Sequence, residues 1–254
     1  MIEFKNLKKK FGESVVLKDI SGEFLNSKVN LIIGSSGGGK SVFLKCLVGL
    51  FDFQFGEVKY DGDIFSSKNE VSKNVIRKKI GMLFQGAALF DSMNTEENVM
   101  FPLNMFSSFS LKEKKKKVNA VLEKVGLQGV NKKMPNELSG GMKKRAGIAR
   151  AIVNDPKYLF CDEPNSGLDP KNSLMIDDLI KKITYENNIT TVVVTHDINS
   201  IFSIGDNIFF LKKGEIKWRG LSEDIEKNSN EDLREFLFSS KLASMLFEKN
   251  KYEV

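Results

Sequence analysis

Gly34-Ser35-Ser36-Gly37-Gly38-Gly39-Lys40-Ser41 follows the strand-like run Lys28 to Ile33. It leads into an amphipathic stretch, Lys40 to Leu50, in which Phe43, Leu44, Leu47 and Val48 recur at helical spacing. The segment fits the pattern G-x-x-x-x-G-K-[ST], and a strand before it with a helix after it is the context in which that pattern predicts a phosphate cradle. Consecutive glycines leave backbone N–H groups free to close around phosphate oxygens. In such a cradle Gly34, Ser35, Ser36, Gly37, Gly38 and Gly39 supply the wall and Lys40 bridges the β and γ phosphates. Ser41 offers its hydroxyl to Mg²⁺, and Val42 follows as the next nucleotide-side position.

Outward from this loop, short apolar runs alternate with helical patterns. Ile2 to Leu7 and Val15 to Leu17 read as strands ahead of it, and Lys157 to Phe160 and Thr190 to Thr195 as strands behind it. Such alternation predicts a parallel sheet with helices packed on it. Between Gly86 and Asn136 the texture changes to lysine-rich helical patterns such as Leu111 to Val125, read as an inserted helical subdomain. Ser222 to Phe247 reads as a C-terminal helical extension.

Polar residues stand at the ends of these strands, the edge at which open α/β sheets bind ligands. Asp162 and Glu163 end the run Tyr158 to Cys161, one suited to hold the water shell of a metal and the other to orient or activate an attacking water. His196, the single histidine of the chain, ends Thr190 to Thr195, where an imidazole can bond a γ-phosphate or that water. Gln85 closes Ile80 to Phe84 and is placed to contact metal or water. Phe11 is a candidate to stack on an adenine. Leu138-Ser139-Gly140-Gly141-Met142 forms a second glycine element: two bare glycines before a helix point its positive end at an anion.

Composition narrows the classes. With 254 residues and 41% hydrophobic content the chain can bury a sizeable core. No apolar stretch approaches the roughly 18 to 20 residues needed to span a bilayer, and the start MIEFKNLKKKFGE has no apolar block of the secretory kind. A soluble protein on the cytosolic side is expected. Cys46 and Cys161 fall in apolar surroundings and outside any metal-spaced cluster, so they read as core. A net charge of +6, from 39 Lys+Arg against 33 Asp+Glu, is a modest excess. Its densest run, Lys112 to Lys117, reads as a solvated helix face, although near an anionic leaflet each lysine would add about 1 kcal/mol.

Taken in order, GSSGGGKS, Gln85, LSGGM, the strand ending in Asp162-Glu163, Ser166 to Asp169 (SGLD) and Thr195-His196-Asp197 resemble the ATP-binding subunit of an ABC transporter, over residues 1 to about 220. The resemblance implies an α/β fold of the P-loop NTPase type: a RecA-like parallel sheet core with an N-terminal antiparallel β subdomain plus an inserted helical subdomain. It places the cassette at 1–222, with the helical subdomain at about 86–150, and the extension at 223–254. It implies ATP and Mg²⁺ as cofactors and a head-to-tail homodimer in which Ser139, Gly140 and Gly141 act in trans. Glu163 becomes the catalytic base, His196 the γ-phosphate switch, and Gln85 the metal and coupling contact. Ser41 and Asp162 serve the metal, and Asp169 communicates across the dimer.

Within the family, Met142 followed by Lys143, Lys144 and Arg145, and the run Leu83 to Leu103, resemble the Mla/Mce group of bacterial phospholipid transporters. That likeness implies an integral membrane permease, an Mce-domain lipid-binding protein and a peripheral position on the cytoplasmic face of the inner membrane, with no nucleic-acid partner. Leu89, Phe90, Met93 and Phe101 would line an apolar groove for a permease helix. Another cargo, such as an amino acid, a metal ion or a lipoprotein, is the alternative within the family. A soluble ABC ATPase acting on ribosomes or DNA is the alternative outside transport. Ser35, Val42, Phe11 and Asn165 depart from the residues usual in the family without removing a charge or a metal ligand.

Overall fold

The computed structural model describes residues 1–65, 69–225 and 229–238. The chain opens with β1 (Ile2–Phe11), β2 (Ser14–Phe24) and β3 (Val29–Ile33), then α1 (Lys40–Leu47). Next come β4 (Phe55–Tyr60), β5 (Asp63–Phe65), α2 (Glu70–Arg77) and β6 (Ile80–Leu83). Three helices follow: α3 (Thr95–Phe106), α4 (Leu111–Lys124) and α5 (Gly140–Ile152). The remainder runs β7 (Tyr158–Asp162), α6 (Pro170–Glu186), β8 (Thr190–Thr195), α7 (Ile198–Ile204), β9 (Asn207–Lys212), β10 (Glu215–Leu221) and α8 (Glu231–Phe238).

Two sheets form. The smaller, antiparallel one has the order β2-β1-β4-β5, and the larger has the order β10-β9-β3-β8-β7-β6. In the larger sheet every pairing is parallel except the β9–β10 edge. Side-chain alternation along its strands builds a core on each face. Ile32, Phe160, Val192, Val194 and Phe209 face the smaller sheet, together with Phe43 and Leu47 of α1. Leu31, Ile33, Leu159, Cys161, Val193 and Phe210 face the other way, toward α5 and α6. Helix α1, all but one of whose apolar residues are fully buried, is therefore held between the sheets, and this fixes the loop that precedes it.

The inserted helical region consists of α3 and α4, whose starts carry complete capping boxes at Asn94/Glu97 and Ser110/Glu113. A boundary near residue 150 falls inside α5, and buried residues of α5 belong to the same core as residues of α3, α4 and the sheet. The C-terminal stretch is not one helix. A 3₁₀ turn at Ser222–Asp224 precedes α8, whose Leu233 and Leu237 are buried in the chain's own core, and Phe236 lies 5.4 Å from Phe210 between ring centroids. Leu242, Leu246 and the remainder of the predicted extension lie outside the described residues. Both cysteines are fully buried as expected, and burial pushes the Cys46 thiol up to about 12.

Candidate nucleotide site

The carboxyl ends of β3, β8, β7 and β6 sit side by side in the register Ile33↔Thr195, Val194↔Asp162 and Cys161↔Leu83. The sheet thereby gathers what is scattered in sequence: the glycine loop after β3, His196 after β8, the acid pair at β7 and Gln85 just past β6. Gly34 leaves β3 at φ 143°, where an added Cβ would lie 2.1 Å from the Leu211 carbonyl oxygen, so this turn admits only glycine. Gly39 takes the N-cap of α1 at φ 100° and provides no side-chain cap, which leaves the first N–H groups of the helix directed into the loop.

Lys40 is buried and donates from Nζ to the carbonyl oxygens of Gly34 at 2.7 Å and Ser35 at 3.0 Å. Burial lowers its pKa, while Glu163 and Asp162 pull in the opposite direction. Ser41 donates from Oγ to Asp162 Oδ1 at 2.7 Å. Glu163, with φ at 51°, continues the ladder by donating its N–H to the Val194 carbonyl at 2.9 Å, and its Oε2 lies 2.7 Å from His196 Nδ1. At that distance an N–H at Nδ1 can donate to the carboxylate.

Two adjoining cavities share Glu163. One, of about 280 Å³, is lined by Val16, Ser36, Gly37, Gly39, Lys40, Ser41, Val42, Gln85 and Glu163. The other, of about 440 Å³, runs along Glu163, Asn165 to Leu168, and Thr195 to Asn199. Phe11 does not line the first: it ends β1 with its ring edge-on to Phe51, centroids 5.3 Å apart, and Lys9 Nζ 4.5 Å from the ring centre. Ser139, Gly140 and Gly141 also lie off that cavity. Ser139 caps α5 by accepting from the Met142 N–H at 3.3 Å, which starts the helix at Gly140 rather than at Met142. A Cβ on Gly141 would lie 3.1 Å from Asn172 Oδ1, and Asn172 donates its backbone N–H to Asp169 Oδ1 at 3.0 Å. The glycine end of α5 thus leans on the cap of α6, and the bonds from Asn172 hold the Asp169 carboxyl below its usual range.

The oxygens of Ser41 and Asp162 suit a hard divalent cation such as Mg²⁺, which binds through one or two protein oxygens and completes its shell with phosphate and water. Among the described residues no cluster of three or more His, Cys, Asp and Glu stands ready to hold a metal alone. The donor set therefore fits an ion that arrives with a nucleotide.

Several residues at this edge escape sequence reading. Val16 of β2 lines the loop cavity, because the smaller sheet leans over it. Buried Asn98 fastens the loop before α3, accepting from the Phe90 N–H at 2.8 Å and donating to the carbonyls of Phe90, Met93 and Asn94. Arg150 donates to the carbonyls of Ala87 at 2.7 Å and Ala88 at 2.8 Å. Lys144 reaches the Glu163 carbonyl. The one available signal was the helical register of α5, which turns Lys144 and Arg150 inward.

A glycine loop between a central strand and a sandwiched helix, with hydroxyl, carboxylate and imidazole groups at neighbouring strand ends, defines a P-loop nucleoside triphosphatase. Residues 17–166 match the ABC transporter family. The chain belongs to that family, as an ATP-binding and ATP-hydrolysing subunit. It is 40% identical to the methionine import ATP-binding protein MetN of Campylobacter jejuni, over 94% of this chain and 76% of that one. It is 37% identical to the probable ribonucleotide transport ATP-binding protein mkl of Mycobacterium leprae, over 99% and 73%. With the intermembrane phospholipid transport system ATP-binding protein MlaF of Haemophilus influenzae it shares 35% identity, over 93% and 90%. Among solved structures it resembles the dimeric post-hydrolysis state of the ATP-binding cassette MJ0796 bound to ADP and Pi, with a TM-score of 0.79 and 34% identity over 87% of this chain and 99% of that one. It also resembles cbiO1 of Clostridium perfringens, part of the cbiONQ transporter complex, with a TM-score of 0.82 and 27% identity over 97% and 98%.

Proposed function

We propose that this ATPase drives phospholipid movement between bacterial membranes, as a head-to-tail homodimer docked under an integral permease that serves an Mce-domain lipid-binding protein. The loop Gly34 to Ser41 would cradle the phosphates of ATP, and Asp162, Ser41 and Gln85 would hold the Mg²⁺ that arrives with it, a cation that would neutralise phosphate charge; Glu163, steadied by His196, would take a proton from the attacking water. The Ser139-Gly140-Gly141 end of α5 faces the nucleotide of the second copy, in keeping with its position away from the loop cavity of its own chain. The dimeric MJ0796 cassette bound to ADP and Pi supports a dimer. No described helix is long and apolar enough to cross a membrane. In this reading the permease supplies the membrane path, and the ATPase sits peripherally on the cytoplasmic face of the inner membrane.

The observation that carries the lipid reading lies in the segment after Gln85. The run Leu83 to Leu103, whose sequence resembles the phospholipid group, builds one wall of an open apolar groove of about 400 Å³. Phe90 and Phe101 meet there at a tilt of 51° with centroids 4.9 Å apart, beside Phe84, Met105 and Phe106. Leu89 packs inward on the core, and neither it nor Met93 lines the groove. An apolar helix of a permease fits such a groove, and Arg150 and Asn98 tie its wall to the loop that follows Gln85. The 40% identity to a methionine importer favours the second reading, an ABC transporter of a small solute.

The test is to trap the dimer with Glu163→Gln and ATP, purify it from gently solubilised native membranes, and identify bound proteins and lipids by mass spectrometry. A permease with an Mce-domain protein and phospholipid is the expected result. A different permease would retain the transport ATPase and discard the lipid cargo, and ribosomal or DNA-bound partners would overturn the transport reading.

A further inference from the structure

Lys144 lies on α5 four residues after Gly140, hence on the same face one turn further along. It is only 4% exposed, where an ammonium without a partner would be costly, and its Nζ donates to the carbonyl oxygen of Glu163 at 3.2 Å. Glu163 is a non-glycine residue in the left-handed region, a conformation that persists only when its surroundings enforce it. Two restraints come from neighbouring backbone: the Glu163 N–H donates to Val194 O at 2.9 Å, and the Ser166 N–H donates to Glu163 O at 3.2 Å. The third comes from the side chain of a different element, the Lys144 Nζ on α5. Relaxation of this peptide would swing the carboxylate away from His196 and out of the wall shared by the two cavities.

We propose that Lys144 is a positioning residue for hydrolysis: its ammonium pins the Glu163 carbonyl, holds the backbone that aims the carboxylate at His196, and links the glycine end of α5 to that acid. The inference rests on Glu163 acting as the base.

Full-length Lys144→Met, Lys144→Arg and Glu163→Gln proteins are compared with the parent in steady-state ATP hydrolysis and in binding of a fluorescent ATP analogue. Methionine keeps the length of the side chain and removes the donor, whereas arginine keeps a donor. Loss of one charge-assisted bond to the reacting residue predicts a kcat about 10-fold lower for Lys144→Met, with KM and analogue affinity within about twofold of the parent. Lys144→Arg is expected to recover kcat to within about threefold. A Lys144→Met kcat within about twofold of the parent, while Glu163→Gln is nearly inactive, overturns the role of Lys144 and leaves the base assignment standing. Equal loss of affinity and kcat in both lysine variants also overturns it, because the side chain would then only support the fold. Parental turnover in Glu163→Gln removes the base assignment itself, and this proposal with it.

Discussion

His196 Nδ1 and Glu163 Oε2 meet at 2.7 Å across the ends of β8 and β7, the imidazole 54% exposed and the carboxylate 12%. The acid is shielded, and the ring that steadies it is open to whatever occupies the cavity beside it. A base oriented in this way should lose its chemical step and keep its binding when the carboxylate becomes an amide. Glu163→Gln is expected to bind ATP as the parent does and to turn over about 10² to 10⁴ times more slowly, the usual range for a general base. His196→Ala should share the rate defect with little change in affinity. Single-turnover hydrolysis of labelled ATP measures both, and an unchanged rate in Glu163→Gln would refute its role.

Lys40 makes its two bonds to the carbonyls of its own loop, and phosphate oxygens of a nucleotide are the natural exchange for them. Its charge meets phosphate in the ground state, so the effect of removal falls on affinity. Lys40→Ala should weaken ATP binding about 10- to 100-fold, the range of one or two hydrogen bonds between charged groups. Isothermal titration reads this directly, and equal affinity would count against the assignment of the loop.

What the sequence made legible at this site is what is local. GSSGGGKS, Asp162-Glu163 and Thr195-His196 each combine a buried strand with the polar residues that end it, and their adjacency follows from a parallel sheet. The contact between His196 and Glu163 is not local, since it requires β7 and β8 to be neighbours in the register Asp162↔Val194. Lys144 was hidden by its neighbours: in a Lys-Lys-Arg run a lysine reads as solvated, and only the packing of α5 against the acid loop buries it. Phe11 reads as an adenine platform; the β1–β2 hairpin sets it edge-on to Phe51 and leaves it 44% exposed, while Val16 lines the loop cavity. The short strands β4 and β5 went unread because their first residues are exposed and the alternation is brief.

One carboxylate bridges the two sheets near their β5 and β7 side. Asp61, in the turn between β4 and β5, accepts from Lys157 Nζ at 2.7 Å and from the hydroxyl of Tyr158, the buried first residue of β7. Burial raises the Asp61 pKa, but the bonds from Lys157, the Met1 ammonium and Tyr158 outweigh it and leave the carboxyl well below its usual range. A folded pKa below the unfolded value gives stability that is fully present above the ordinary carboxylate range and is lost as pH falls through the folded value. Asp61→Asn should therefore cost about 1 kcal/mol at neutral pH, a surface-type ion pair with a buried hydroxyl attached. The gap in Tm between parent and variant should narrow below about pH 4. Thermal unfolding across that range checks it, and a gap independent of pH would show that the charge of Asp61 plays no part.

The groove beside Gln85 allows a change that separates docking from chemistry. Met105 lines it at 60% exposure, so a charge there is solvated in the free subunit and should move stability by no more than about 0.5 kcal/mol. Seating an apolar permease helix over the same position would strip water from that carboxylate, at a cost of several kcal/mol. Met105→Glu should unfold at the same temperature as the parent and bind ATP with the same affinity, while recovery of the permease on the purified subunit falls at least about 10-fold. Met105→Leu, which keeps the apolar wall, should restore recovery. Undiminished recovery with Met105→Glu would place the permease contact elsewhere, and a lowered unfolding temperature would show that Met105 supports α3 itself.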